Sequence, residues 1–196
     1  MKFVPRNEAT RQRIIESTAT LFNKKGYANT SVTDLEKATG LTKGSIYGNF
    51  ESKEEVALAV LDYNVRSLKS RIREAVERCE SYRDKIFAHV AVFYGLQGDG
   101  GGCPMQNAAV EADDTNEPMR QKAADAILSW KNDIADLLKK GIKAGEFKKD
   151  TDPDQTALTL IALIEGAILL GKATRNIVYL DTVLDVAKEK IRSVCN

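Results

Sequence analysis

The stretch from Arg11 to Lys53, RQRIIESTATLFNKKGYANTSVTDLEKATGLTKGSIYGNFESK, packs three short helical patterns, two N-cap signals and a tight turn into about forty residues. Ile14, Thr18, Leu21 and Phe22 recur at spacings of three and four, with Ile15 and Ala19 beside them, which predicts one apolar stripe on a helix. That helix stops at Gly26, after Lys24 and Lys25 in its last turn, where glycine can close the end and the cations meet the negative pole of the helix. Ser31-Val-Thr-Asp34 then supplies a hydroxyl for a free backbone N–H and a carboxylate for the positive helix end, so a short helix runs from about Val32 to Thr39. Gly40 reverses the chain, Leu41 can pack beneath the turn, and Thr42 offers an N-cap for a third helix from about Lys43 to Asn49.

Two short helices joined by a glycine turn follow the helix-turn-helix plan, whose second helix enters a DNA major groove. An ordinary helical hairpin from a core has the same outline, so the third helix has to decide. Ile46 and Phe50 are its only strongly apolar positions, while Lys43, Ser45, Tyr47 and Asn49 offer donors and an aromatic ring. A helix with one narrow buried edge and polar reach elsewhere is suited to a polar partner.

Gly26-Tyr27, Thr30-Ser31-Val32, Asp34-Leu35, Ala38, Gly40-Leu41, Lys43-Gly44, Tyr47, Phe50 and Lys53-Glu54 stand at fixed spacing. In these positions the chain resembles the N-terminal domain of TetR-family transcriptional regulators, over about a quarter of its length. The resemblance implies groove and phosphate contacts from Lys43, Ser45, Tyr47 and Asn49, close backbone approach at Gly44, and a phosphate clamp at Lys53. It further implies that Ser31 and Thr33 open one helix, and Thr42 another, toward phosphates. Three positions depart from the pattern: Asn49 stands where many relatives carry histidine, Glu36 where they carry a small residue, and Gly48 falls inside the expected recognition helix. Asn49 reads as a change in the base or phosphate recognised, because an amide both donates and accepts. Glu36 reads as a solvated side chain.

Charge separates the two ends of the chain. Residues 1–53 hold nine Lys or Arg against five acids, a balance of +4, and the rest holds 20 against 23, a balance of −3. A basic head on a mildly acidic body favours a polyanion at one end only. At 196 residues, 43% hydrophobic and 29% charged, the chain can bury a full core and resembles neither a disordered segment nor a repeat array. Met1 to Arg13 is polar and basic, without a signal-type apolar run, which predicts a cytoplasmic protein. Cys79, Cys103 and Cys195 are odd in number and lack metal-ligand spacing, so no disulfide framework, metal or cofactor is expected.

Helical periodicity continues through the body: Leu61, Val65, Leu68, Ile72 and Val76 mark a long helix from Lys53 to about Glu80, and Ile86, Val90 and Phe93 mark the next. A glycine-rich break at 98–102 precedes a short helix opened by Pro104, and Pro118 opens a longer one through Ile127, Trp130, Ile134, Leu137 and Gly141. The expected fold is all-α: an N-terminal three-helix helix-turn-helix domain over residues 1–52 and a larger helical effector-binding and dimerisation domain over 53–196, about nine helices in all. Thr156 to Leu170 is apolar on every side except at Glu165 and requires cover on both faces. It is too short and too interrupted by an acid to read as a membrane span.

The resemblance implies that the last two helices form a four-helix bundle with their copies in a homodimer, through Ala162, Leu163, Gly166, Ala167, Leu170, Val183, Ala187 and Ile191. A dimer of such heads suits a palindromic operator in double-stranded DNA. It also implies a small-molecule effector in the body, with Phe87, His89, Phe93, Cys103, Met105, Trp130 and Glu165 as the candidate lining. Ordinary core packing accounts for the same aromatic and methionine positions. Cys103 lies between a glycine run and the Pro104 helix, where a helix dipole favours thiolate, and the Gly102-Cys103 pair resembles that of electrophile-responsive relatives. An enzyme using Cys103 and His89 lacks an acid orienter, oxyanion loop or cofactor motif, so no catalytic residue is expected. A helical scaffold without DNA binding is opposed by Lys43, Tyr47 and Lys53.

Overall fold

In the computed structural model, residues 7–95 and 100–196 are described. Among them are nine α-helices: α1 (Glu8–Lys25), α2 (Val32–Thr39), α3 (Lys43–Tyr47), α4 (Lys53–Glu77), α5 (Tyr82–Ala91), α6 (Pro104–Ala112), α7 (Glu117–Lys143), α8 (Pro153–Thr174) and α9 (Ile177–Val194). A 3-10 turn, Val92–Gly95, extends α5, and one isolated antiparallel bridge joins Phe147 to Cys195. The expected all-α fold is present. The glycine break expected at 98–102 lies partly outside the described residues.

Two compact units divide the chain, Met1–Ser67 with Asp99–Ala124 and Leu68–Gly98 with Asp125–Asn196. In the first, Ile14, Ile15, Ala19 and Phe22 of α1 meet Leu35, Ile46, Phe50 and the Val56, Val60 and Leu61 edge of α4 in one apolar core. Ala112 and Met119 join the same core, so α6 and the start of α7 pack with the three N-terminal helices. Caps fix where the short helices begin. Ser31 and Asp34 exchange hydrogen bonds in a complete capping box, and Thr42 accepts from Ser45 N. Gly40, at φ +67°, closes α2 in the left-handed region and donates its N–H to Glu36 O.

Three local readings change here. Helix α3 ends at Tyr47, and Gly48 follows it with right-handed dihedrals, so glycine does not interrupt the recognition helix. Helix α4 ends at Glu77, and α7 begins one residue before Pro118. Asn116 caps α7 by accepting from Met119 N at 2.9 Å.

The second unit is built on Phe93, Trp130, Ile134, Leu138 and Phe147, all buried, with the α8 and α9 hairpin along one side. Helix α8 runs over 22 residues, longer at both ends than the Thr156–Leu170 stripe, so by length and composition alone it is long and apolar enough to cross a membrane, and the reading of it as too short is corrected. Its Leu160, Ile161, Ile164, Ala167 and Ile168 face the unit's own core, while Leu158, Leu169 and Leu170 are exposed. One helix therefore carries two apolar faces, and the chain itself covers one of them.

Candidate nucleic-acid interface

Ile46 anchors α3 at 0% exposure and Phe50 closes the same edge just past the helix, so the remaining faces of α3 turn outward. Thr42, Lys43 and Gly44 are exposed, and Ser45 and Tyr47 are half-buried; Ser31 and Thr33 are exposed at the start of α2. No Cβ at Gly44 would meet any heavy atom within 4 Å, so that position leaves room for a close neighbour. These exposed and half-buried residues belong to one helix-turn-helix, and they carry hydroxyls, a cation and a phenol in positions suited to phosphate and base edges.

Two expected contact residues have other tasks. Asn49 is 2% exposed; its Nδ2 donates to Ser45 O at 2.9 Å, its Oδ1 accepts from Asn7 N at 3.3 Å, and Arg11 Nη1 donates to its carbonyl at 2.6 Å. The amide ties the end of α3 to the start of α1 and is not presented to a groove. Arg11 completes this joint by lying 3.9 Å over the Phe50 ring and pairing with Glu55. Lys53 Nζ donates to Tyr27 O at 2.8 Å and Thr30 O at 2.9 Å and sits 4.3 Å over the Tyr27 ring. Its ammonium holds the turn between α1 and α2, which the reading as a phosphate clamp did not foresee. Burial, with Glu54 and Tyr47 nearby, raises the Tyr27 hydroxyl above the usual tyrosine range.

Glu36 is not a solvated bystander. Its Oε1 accepts the backbone N–H of Lys43 at 2.7 Å, placing a carboxylate on the positive end of α3. Lys25 and Ser31 likewise hold Asp34 well below the ordinary carboxylate range through hydrogen bonds at the start of α2. Local spacing gave no cue to Glu36, because the contact depends on the angle between two helices.

Of the expected effector residues, His89, Phe93 and Trp130 come together. Trp130 Nε1 donates to His89 Nε2 at 2.6 Å, the two rings lie edge to edge with their planes 5° apart and centroids 6.1 Å apart, and Phe93 lies 5.4 Å from Trp130. Burial pushes the His89 imidazole down to about 4, so it is neutral and accepts through Nε2. Phe87 is half-buried with Arg192 over its ring, and the carboxylate oxygens of Glu165 are shielded from solvent. Cys103 and Met105 belong to the other unit and are buried; none of the three cysteines is in a disulfide. Cys103 is the N-cap residue of α6, as its position before Pro104 implies, and makes no side-chain capping bond.

A cleft in the first unit opens between α1, α4, α6 and α7 over Phe22, Val60, Leu61, Pro104 and Met119, with Asn107 and Glu111 among its polar groups. Its interior measures about 40 Å³, room for roughly three waters. None of the expected effector residues lines it.

The expected dimer residues also divide. Ala162 is exposed and Leu170 is 45% exposed, with Leu163, Gly166 and Val183 half-buried. Ala167, Ala187 and Ile191 are at 0% exposure inside one copy, because α8 and α9 turn these positions toward each other and the unit's core. Those three are core residues of the protomer.

An all-α chain with an outward-facing α3, capped and buttressed by α1 and α2, is a helix-turn-helix DNA-binding protein. Residues 14–60 match the model of the tetR family of bacterial regulatory proteins, and residues 83–187 match the tetracyclin repressor-like C-terminal domain. The chain belongs to the TetR family and is a DNA-binding transcriptional regulator of the ligand-responsive type.

The HTH-type transcriptional repressor DhaR of Mycobacterium sp. (strain GP1) is 30% identical over 189 residues, 92% of this chain and 91% of that protein. The HTH-type transcriptional repressor NemR of Escherichia coli (strain K12) is 27% identical over 189 residues, covering 93% and 94%. A TetR-family transcriptional regulator from Cytophaga hutchinsonii superposes with a TM-score of 0.92 at 47% identity, over 99% of this chain and 98% of that one. These relatives are regulators, and the chain is a regulator rather than a thiol-dependent enzyme.

Proposed function

We propose that the chain represses transcription by binding a palindromic operator as a homodimer in the cytoplasm, and that an effector lowers this affinity. DNA contact falls within residues 1–52, through Lys43, Gly44, Ser45 and Tyr47 of α3, with Ser31, Thr33 and Thr42 at the two helix starts. Effector binding and dimerisation fall to residues 53–196. The observation that carries this reading is the face of α3, where Lys43 and its neighbours are exposed around the buried Ile46. A twofold dimer presents two such helices to half-sites in successive major-groove turns. Retention on a duplex selected in vitro by the parent protein should fall steeply with salt and weaken for Lys43→Ala and Tyr47→Ala. Unchanged affinity in both variants would overturn the interface.

For the effector, the position of Cys103 supports an electrophile or oxidant acting on its thiol. The sulfur-bearing residue caps α6 at the helix end that favours thiolate. Modification of a fully buried thiol adds bulk at the start of α6 and displaces it. Cys103→Ser should therefore keep duplex binding after treatment with a quinone or hypochlorite that releases the parent. Equal release of both proteins sinks the thiol reading and leaves a non-covalent effector near His89, Phe93 and Trp130.

A further inference from the structure

Glu111, on α6 and outside the helix-turn-helix, grips the turn that leads into it. Its two carboxylate oxygens accept the backbone N–H groups of Tyr27 and Ala28, each at 2.8 Å. Lys53 holds the other side of the same turn through the carbonyls of Tyr27 and Thr30. A cation on the carbonyls and an anion on the amides thus define one short segment. Gly26 makes this approach possible: its φ is +78°, and a Cβ there would come within 2.5 Å of Glu111 Oε2. Asn107, one turn earlier on α6, donates to Asn23 O and Asn23 Oδ1, both at 3.0 Å, so α6 is joined to the end of α1 at two points.

We propose that Glu111 is a positioning residue for DNA binding: by fixing Tyr27 and Ala28 it sets the entry of α2, and hence Ser31, Thr33 and α3, without touching DNA itself. The turn between Gly26 and Ser31 contains no helix of its own; Thr30 closes it from within, donating to Gly26 O through Oγ1 at 2.6 Å and to Tyr27 O through its N–H at 3.3 Å, and the amides of Tyr27 and Ala28 are held from outside by Glu111. Bonds to a charged acceptor are stronger than neutral ones, and two from one carboxylate fix direction as well as distance. The inference rests on the proposed interface of α2 and α3.

Electrostatics alone makes the opposite prediction. Removing an acid from a DNA-binding unit raises its affinity for a polyanion, whereas losing a positioning contact lowers it. Glu111→Gln removes the charge and replaces one acceptor oxygen with a donor group. Glu111→Asp keeps the charge and withdraws it by one methylene. Glu117→Gln, on exposed α7 residue Glu117 paired with Arg120, is the charge control.

Binding is measured in the full-length protein on the duplex selected by the parent, with helix content and Trp130 emission confirming the fold and amide resonances of Tyr27 and Ala28 reporting the turn. Glu111→Gln and Glu111→Asp should both bind about tenfold more weakly with both amides shifted, and Glu117→Gln should bind as the parent or slightly tighter. If both Glu111 variants bind within twofold of the parent, or more tightly, Glu111 does not position the head. Lys43→Ala on the same duplex judges the interface separately, since its affinity ratio is independent of the Glu111 ratio.

Discussion

Glu36 and Lys43 meet across the helix-turn-helix, the Glu36 carboxylate accepting the Lys43 backbone N–H at 2.7 Å. Helix α3 has five residues, too few to persist by propensity, so its free N-terminal N–H groups need partners from outside. Thr42 supplies one, for Ser45 N, and Glu36 supplies another from α2, for Lys43 N. Glu36→Ala should therefore cost about 1 kcal/mol of stability, the usual worth of a cap, with Glu36→Gln retaining most of it. Urea unfolding of the three proteins measures this. A Glu36→Ala protein as stable as the parent means that Thr42 alone caps α3.

Asn49 and Lys43 should separate stability from recognition. The Asn49 amide is buried and bonded to Ser45 O and Asn7 N, so Asn49→Ala leaves polar groups unmatched and should destabilise the fold by about 1–3 kcal/mol. Lys43 is exposed and its side chain serves no core contact, so Lys43→Ala should leave the unfolding midpoint within about 0.5 kcal/mol of the parent. The same variant should reduce the slope of log affinity against log salt by about one phosphate contact. Thermal melts and duplex titrations at several salt concentrations check both halves, and an Asn49→Ala protein of parental stability contradicts the buried joint.

The contrast between these residues shows what the sequence discloses. Helix starts at Ser31 and Thr42 and the stop at Gly40 were legible because their causes lie within three or four residues. The bonds of Lys53 and Asn49 inside the head were not legible, since spacing places a residue on a helix but does not say what lies opposite it. Asn49 is satisfied by Asn7 and Arg11, from the far end of α1. Glu111 was missed altogether, because its partners Tyr27 and Ala28 precede it by more than eighty residues. The Thr156–Leu170 stripe did reveal two apolar faces, but not which of its small residues belonged to each.

His89 makes the fold sensitive to mild acid. Its imidazole titrates at about 4 in the folded chain because it is buried, against about 6.5 when unfolded. Between these values the unfolded chain binds a proton that the folded chain refuses, so stability is complete above about pH 6.5 and falls as pH drops toward 4. The loss at the low end is on the order of 3 kcal/mol. His89→Gln keeps an acceptor for Trp130 Nε1 and has no titration in this range. Its stability should change less than the parent's between pH 7 and pH 4.5, and parallel profiles for the two proteins would exclude His89 as the source.

The apolar residues of α8 should sort by face when replaced. Leu158, Leu169 and Leu170 are 54%, 56% and 45% exposed in one copy, and Val178, Tyr179 and Val186 of α9 are exposed too. In the proposed twofold dimer, a second copy covers this concentration of large apolar side chains with the same residues of its own. Leu158→Glu with Leu170→Glu should therefore leave a folded protein sedimenting at 21.6 kDa, where the parent, as the proposed dimer, should sediment at twice that mass. Ile191→Ala, from the core at 0% exposure, should instead lose about 2–5 kcal/mol of stability through the cavity it leaves. The double glutamate variant should also bind a two-half-site duplex far more weakly than the parent while binding a single half-site as well, because only the coupling between heads is lost. A parent that sediments at 21.6 kDa, or a double variant that remains at twice that mass, removes α8 from the interface.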